Sequence, residues 1–522
     1  MSNAITQSLI WHLCGVVFGW IRKSFLGRFA GWLIRSWQQS AIYGLFARLL
    51  TKDSAVERSG LYGLTTGINN RVHSMGSGLR KGYGESFLGT TLIPAVKNSF
   101  LLGSLLRNGF TSVLLFFGGS YAIIDYLLRD VFQIAAFASV WDEAYMLLCL
   151  GWLILRMIKD DKPVISRANS SDLLVGFYLV VGLVLFICTS VRVVSIHITG
   201  FRASMQYLLM FFLTVRLIRD DKDFMRLYRL LVAIATLLAL YGIYQYIIGV
   251  EIPVNWTDSA EGSVRTRVFA IFSNPNVMGG YMILFAPMAI GMAYAEQDVG
   301  TKVLYWFCGL SMCAACLFTM SRGAWLGLAV AAVLFSLVVD KKLFFLLLVG
   351  GILSCFLPFV QSRIGYLFTP AFRESNQRAG RGVRWERAFG YVSYSNAWPM
   401  GLGYGMYGGA VAMQNQINPN YTYTYVDNYY VKIIAENGIA GITGLLTMLA
   451  GLFWNGGRAC ARNADNEYKP LCAGMLMGLV GFMVQSFFEC LWEEPYLMAL
   501  FFIVAAMMIY AGFHREKATA KK

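Results

Sequence analysis

The stretch Tyr496-Leu-Met-Ala-Leu-Phe-Phe-Ile-Val-Ala-Ala-Met-Met-Ile-Tyr-Ala-Gly-Phe513 holds no charged side chain, and its reading decides the fold class. Coiled as a helix, it spans about 27 Å, close to the roughly 30 Å hydrocarbon layer of a bilayer. Glu493, Glu494 and Pro495 stand before it, and Arg515 and Lys517 follow it, so polar punctuation marks both ends. The rest of the chain has the same character. Of 522 residues, 57% are hydrophobic and only 14% charged, and the mean hydropathy is +0.55. Too few polar side chains exist to cover a water-soluble globule, which makes this an all-α polytopic membrane protein.

Working back from 496–513, eleven further apolar stretches have lengths that suit a membrane helix: 110–127, 143–158, 173–190, 203–218, 229–249, 279–295, 303–320, 323–339, 343–360, 428–454 and 470–491. About twelve transmembrane helices are therefore expected. Their connections sort by charge. One side holds Lys159, Lys162, Arg216, Arg219, Lys222, Lys302, Lys341, Lys342, Arg458, Arg462 and the basic tail after Arg515. Short cationic connections stay in the cytoplasm, so both termini are expected inside. The opposite side has few basic residues in its short turns, but it carries one long extracytoplasmic loop, 361–427.

Residues 1–108 read differently. Trp11, Trp20, Trp32 and Trp37 are interleaved with Arg22, Lys23, Arg28 and Arg35, a pattern suited to an amphipathic segment lying in the cytoplasmic membrane interface. The expected organisation is this segment followed by a transmembrane domain over 109–522. The net charge of +15 falls mostly in short loops and at the ends, where it meets anionic lipid, so no nucleic-acid partner is expected. Cys149, Cys188, Cys355 and Cys490 lie in apolar runs, and the CxxC of Cys313 and Cys316 has no second pair or histidine beside it. These cysteines read as packing, with neither disulfide nor metal implied.

Four polar elements interrupt the apolar pattern. The first, Arg265-Thr-Arg267-Val-Phe-Ala-Ile-Phe-Ser-Asn274-Pro275-Asn276, enters the sixth span. Its Asn and Pro suit a capped helix start, whose free amides beside Arg267 make an anion site; the plainer reading is a helix start with an interfacial arginine. The second, Ser321-Arg322-Gly323-Ala324, is a tight turn between spans. It fixes an arginine that either snorkels to headgroups or points into a cavity.

The third element is the loop itself. It carries Arg363, Arg373, Arg378, Arg381, Arg384 and Arg387, then Pro399-Met-Gly401-Leu-Gly403-Tyr-Gly405. The arginines read either as a solvated basic face or as anion-collecting groups. The glycines match a dinucleotide fingerprint by letter only, without strand and helix around them, and a flexible active-site loop is expected instead. The fourth element, Asp427-Asn428-Tyr429-Tyr430-Val-Lys432-Ile-Ile-Ala-Glu436-Asn-Gly438, re-enters the membrane. Asp427 suits a helix N-cap or a base. Glu436 is an ionisable group inside a span, either functional or paired with Lys432 one turn earlier.

RxFxxFxNPN from Arg267, SRGAxLG from Ser321, PxGxGxG from Pro399 and DNxYxxxxAExGxxG from Asp427, in that order, resemble the O-antigen ligase and polymerase superfamily of bacterial surface polysaccharide synthesis. The resemblance runs through roughly 265–513. It implies a GT-C-like helical fold in the bacterial inner membrane. It also implies a donor glycan on undecaprenyl diphosphate, an acceptor glycan, and neither cofactor nor metal. By the same resemblance, Arg267 and Arg322 hold the diphosphate and Asp427 acts on the acceptor hydroxyl. Arg265, Asn274, Asn276, Ser321, Arg384, Gly403, Gly405, Asn428 and Glu436 are expected to contact substrate. Ligases of the superfamily carry a histidine where this chain has Asp427, so the resemblance favours its polymerase branch. The alternative from topology alone is a twelve-span transporter or export protein.

Overall fold

The computed structural model describes residues 109–159, 169–251, 266–272, 274–415 and 425–515, with five isolated positions inside the first 108. The expected interfacial segment and Arg265 therefore lie outside the described residues. Helices dominate the remainder, and the one extended pairing among the described residues is an isolated bridge between Gly408 and Tyr425.

All twelve apolar stretches are helical, but they are not equivalent. Among the described residues, seven helices are long and apolar enough to cross a membrane, and an eighth is added if the bent pair Phe110–Gly119 and Tyr121–Val131 forms one span. That pair turns by 70° at Ser120, where a straight span was expected. The other four positions are shorter or more polar. Trp141–Lys159 carries Asp142, Glu143 and Arg156; Arg322–Val338 and Lys341–Ser354 have 17 and 14 residues; Tyr468–Gln485 includes Lys469 and ends in Gln485. The expected span 343–360 divides at Leu357, where Pro358 starts a new helix, because a proline suits the first turn of a helix and not its middle.

Local chemistry sets the helix starts. Asn274 caps Pro275–Ala295, its side chain accepting from the amides of Asn276 at 2.7 Å and Val277 at 3.1 Å. Asn169 and Asp172 form a reciprocal capping box on Ser170–Cys188, and Asp298 caps Val299–Phe318 by accepting from the Thr301 amide at 2.9 Å. Each such cap satisfies amides that the helix leaves unpaired and is worth about 1 kcal/mol.

Two helices form the centre. Pro275–Ala295 and Pro495–His514 each have 89% of their most apolar window buried, against 33% for Ser170–Cys188. The latter nevertheless has the highest mean hydropathy, 2.3, and presents Phe177, Val180, Leu183 and Ile187 outward. An apolar yet uncovered helix of this length is stable only against lipid. Small residues bring the central helices close together. A Cβ at Gly474 would stand 2.5 Å from the Pro287 carbonyl oxygen, and one at Gly327 would stand 2.6 Å from that of Gly481. Close backbone approach of this kind supplies the packing that lipid cannot drive.

The basic connections gather at one end of the bundle. Arg216 pairs with Asp172 at 2.9 Å, Arg219 with Asp223 at 2.6 Å and Arg515 with Asp221 at 2.9 Å. At the opposite end lie the start of the Pro275 helix, the turn before Arg322, the long loop and the turn before Pro495. The loop is not irregular: it contains the helices Pro358–Tyr366, Pro370–Ala379, Arg381–Tyr394 and Ala410–Gln414.

Candidate active site

Arg267 sits 7% exposed at the start of this polar end. Its Nε donates to the Thr319 carbonyl at 3.0 Å and a terminal nitrogen donates to Asn276 Oδ1 at 3.3 Å, which fixes the plane of its fork. Asn276 in turn donates to Glu489 Oε2 at 2.7 Å, and the Tyr425 hydroxyl donates to Glu489 Oε1 at 2.9 Å. The Tyr425 carbonyl accepts from Arg384 at 3.4 Å, and the same Arg384 nitrogen donates to Asp427 Oδ2 at 2.5 Å. Polar contacts therefore link Arg267 to Asp427 residue by residue, passing through Tyr425 from its hydroxyl to its carbonyl and joining segments more than 200 residues apart.

Asp427 is not the helix cap that its position suggested. Asn428 caps Tyr429–Arg462, accepting from the amides of Tyr430 and Val431, and frees Asp427 to face the loop. The backbone at Asp427 has φ 47°, a left-handed conformation that aspartate and asparagine tolerate better than most residues. Arg381 lies 4.0 Å from the same carboxylate oxygen and donates to the Phe488 carbonyl at 3.0 Å. Burial pushes the Asp427 carboxyl up to about 6, helped by the negative charge of Glu489; Arg384 and then Arg381 oppose the shift.

The turn before Arg322 closes the group from another side. Ser321 caps its helix by accepting from the Ala324 amide at 3.4 Å, and Gly323 packs against Phe488. The Arg322 guanidinium stands 5.7 Å from the ring of Phe372, which lies in the long loop. Arg267, Asn274, Asn276, Ser321, Arg322, Arg384, Asp427 and Asn428 thus meet at one end of the bundle. Within that set, the side chains of Asn274, Ser321 and Asn428 are engaged as helix caps. Arg373 and Arg387 face outward, and the side chains of Arg363 and Arg378 lie outside the described residues.

Gly403, Gly405 and Glu436 belong to a neighbouring device. The Tyr429 helix breaks at Gly438, whose φ of 64° and ψ of −162° are open only to glycine. The glycine loop docks into the break: Leu402 N donates to the Ala435 carbonyl and Gly403 N to that of Glu436, both at 2.9 Å, while Ile439 N donates to Trp398 O at 2.7 Å. The expected flexible loop is in fact pinned, because a broken helix presents unpaired carbonyls and amides that the loop backbone satisfies. Gly403 packs beside His197, and Gly405 packs on Gly200. Glu436 is fully buried and pairs with Lys432 at 3.1 Å; Lys432 also reaches Glu493 at 3.4 Å.

Sequence reasoning missed two residues. Glu489 had been placed inside the expected span 470–491, but the helix ends at Gln485 and leaves Glu489 in the turn. An acid inside an apparent span was the available signal. Gln485 donates to the Asn276 carbonyl at 2.7 Å and holds the turn against the Pro275 helix.

Residues 307–446, a little over a quarter of the chain, match the family model described as O-antigen ligase. The match covers Arg322, the loop, Asp427 and the helix break at Gly438, and leaves Arg267 and Glu489 outside it. No curated protein matches the chain.

Proposed function

We propose, from the match of residues 307–446 to the O-antigen ligase family model, a glycan polymerase acting on undecaprenyl-diphosphate-linked chains at the outer face of the bacterial inner membrane. The family ties the chain to surface polysaccharide ligation or polymerisation; the lipid carrier, the sidedness, the GT-C-like fold and the residue roles are our reading. The observation that carries it is the residue-to-residue series of polar contacts from Arg267 through Asn276, Glu489, Tyr425 and Arg384 to Asp427.

In this mechanism the acceptor sugar hydroxyl gives its proton to Asp427, and its oxygen attacks the anomeric carbon of the donor. The bond from that carbon to the diphosphate oxygen breaks, and the electron pair leaves with the diphosphate. Arg267 and Arg322 stabilise the growing negative charge, since a planar guanidinium fork matches phosphate oxygens and is already in place when the charge develops. An aspartate at its usual value is a weak base near neutral pH. One raised to about 6 is far better matched to the task. Arg384 holds the carboxylate and screens it from Glu489, and Asn276 couples its position to Arg267.

The reading is tested in cells lacking the protein, which should lose one surface polymer. The unaltered protein restores its chain length. Arg267→Ala and Arg322→Ala, matched for membrane abundance, should each lower polymer synthesis by about 10²-fold or more, with lysine restoring only part. Polymer of normal length from both alanine variants would refute the roles given to these arginines.

A further inference from the structure

Beside the arginine group lies a cavity of about 940 Å³, walled by the bent pair and its following turn, residues 199–207, the end of the Asp221–Ile248 helix, the segment before Pro275 and residues 489–496. Its charge is the reverse of the neighbouring site. Among the described residues, Asp125, Asp130, Asp142, Glu489, Glu493 and Glu494 line it, against Arg129 and Arg202. Both of these arginines already have acidic partners: Arg129 holds Asp125 at 2.9 Å, and Arg202 bonds to Glu143. Arg267, Arg322 and Arg384 are not part of the wall.

Two buried polar atoms stand out. Asp142 is 2% exposed; its Oδ2 accepts from Tyr207 at 2.6 Å and Gln206 at 3.0 Å, while its Oδ1 has no donor other than the Glu143 carboxyl beside it, with Arg202 no nearer than 3.9 Å. Trp492 Nε1 has no hydrogen-bond partner. It lines an annex of about 30 Å³ that shares Ala203, Ala410, Val411 and Glu493 with the cavity wall and also holds Lys432, the partner of Glu493. A buried polar atom is costly to leave unpaired, and a ligand rich in hydroxyl groups can supply the missing partner. Between the acids stand aromatic faces, with Phe272 stacked on Tyr496 at 5.5 Å and Tyr241 at the rim.

We propose that this cavity is the subsite for the acceptor glycan, and that it takes sugars carrying hydroxyl or amino donors and no acidic group. The proposal rests on the polymerase reading. Sugar hydroxyls and ammonium groups donate to carboxylates, and the weakly positive C–H face of a sugar ring packs on the negative face of an aromatic ring. A diphosphate, a uronate or a phosphorylated sugar brings a like charge to the acidic wall and is excluded. The two substrates are thereby sorted: the anionic carrier goes to the arginines, and the uncharged or amino-bearing chain goes to the acids. They meet at a shared wall. Glu489 and Tyr425 line the cavity, and Tyr425 lies two residues from Asp427, which puts the proposed base next to the segment the two sites share.

Photo-crosslinking in polymer-producing cells tests this with the native glycan. Benzoylphenylalanine replaces Tyr241 at the rim or, as a control on the same helix, Ile247, which is 75% exposed on the outer surface of the bundle. Irradiation should give a glycan adduct at position 241 and none at 247, and hydrolysis of the adduct should release neutral or amino sugars. Position 126, also on the wall, serves as a second site should the first variant stop chain growth. An adduct absent from both wall positions, or one rich in uronate or phosphorylated sugar, would overturn the subsite. Failure of the polymerase reading shows separately, as normal chain length in the Arg322→Ala strain.

Discussion

At the residue scale, the proposed mechanism turns on Asp427. Its carboxyl is raised from 3.8 to about 6, chiefly by burial and then by Glu489. A base must be unprotonated, so the rate of chain growth should fall as pH drops through about 6. Glu489→Gln removes the like charge and keeps most of the hydrogen-bonding shape, so the acid limb of the pH–rate profile should move to lower pH; an unmoved limb would contradict the field assigned to Glu489. The raised value also has a sign for stability. A fold that favours the protonated carboxyl loses stability as pH rises between 3.8 and about 6. Asp427→Asn removes that cost and suits the left-handed backbone, so at neutral pH it should lose chain growth while its thermal unfolding temperature holds or rises. Asp427 and the two arginines were legible in the sequence because charge at a membrane boundary is conspicuous. Glu489 was not, because neither glycine nor proline marks the end of the helix at Gln485.

At the element scale, the break in the Tyr429 helix is the structural centre of the polar end. It lets the glycine loop bond to Ala435 and Glu436, and it sets the Lys432–Glu436 pair beneath that loop. A buried ion pair adds little net stability but is costly to split, since the remaining charge stays buried. Gly438→Ala forces a Cβ to within 2.5 Å of the Trp398 carbonyl oxygen in a conformation that alanine resists. It should cost about 1–3 kcal/mol, read as a lower unfolding temperature in detergent, and should displace the loop and slow chain growth; unchanged stability would show that the break is not a requirement of the fold. Helix existence was readable from apolar length, and several starts from their capping residues. The bend at Ser120, the break at Gly438 and the helices of the long loop were not. They arise from tertiary bonding of backbone groups, which a hydropathy pattern does not record.

At the scale of the whole molecule, the bundle separates its charges. Basic connections and their acidic partners close one end, and the other end places an arginine group against an acid-walled cavity. The order of four motifs was visible along the chain, but their convergence was not, since Arg267 and Glu489 meet through Asn276 only after the helices pack. A transporter could share the helical membrane fold. A proton-coupled transporter also uses carboxylates with raised values, so the two readings divide on whether glycan chains grow. The direct test is purified protein in lipid vesicles, supplied with lipid-diphosphate-linked repeat units and no energy source, with chain length read by gel. The account predicts polymer from the unaltered protein and about 10²–10⁴-fold slower growth from Asp427→Asn. Equal growth from both proteins would contradict it.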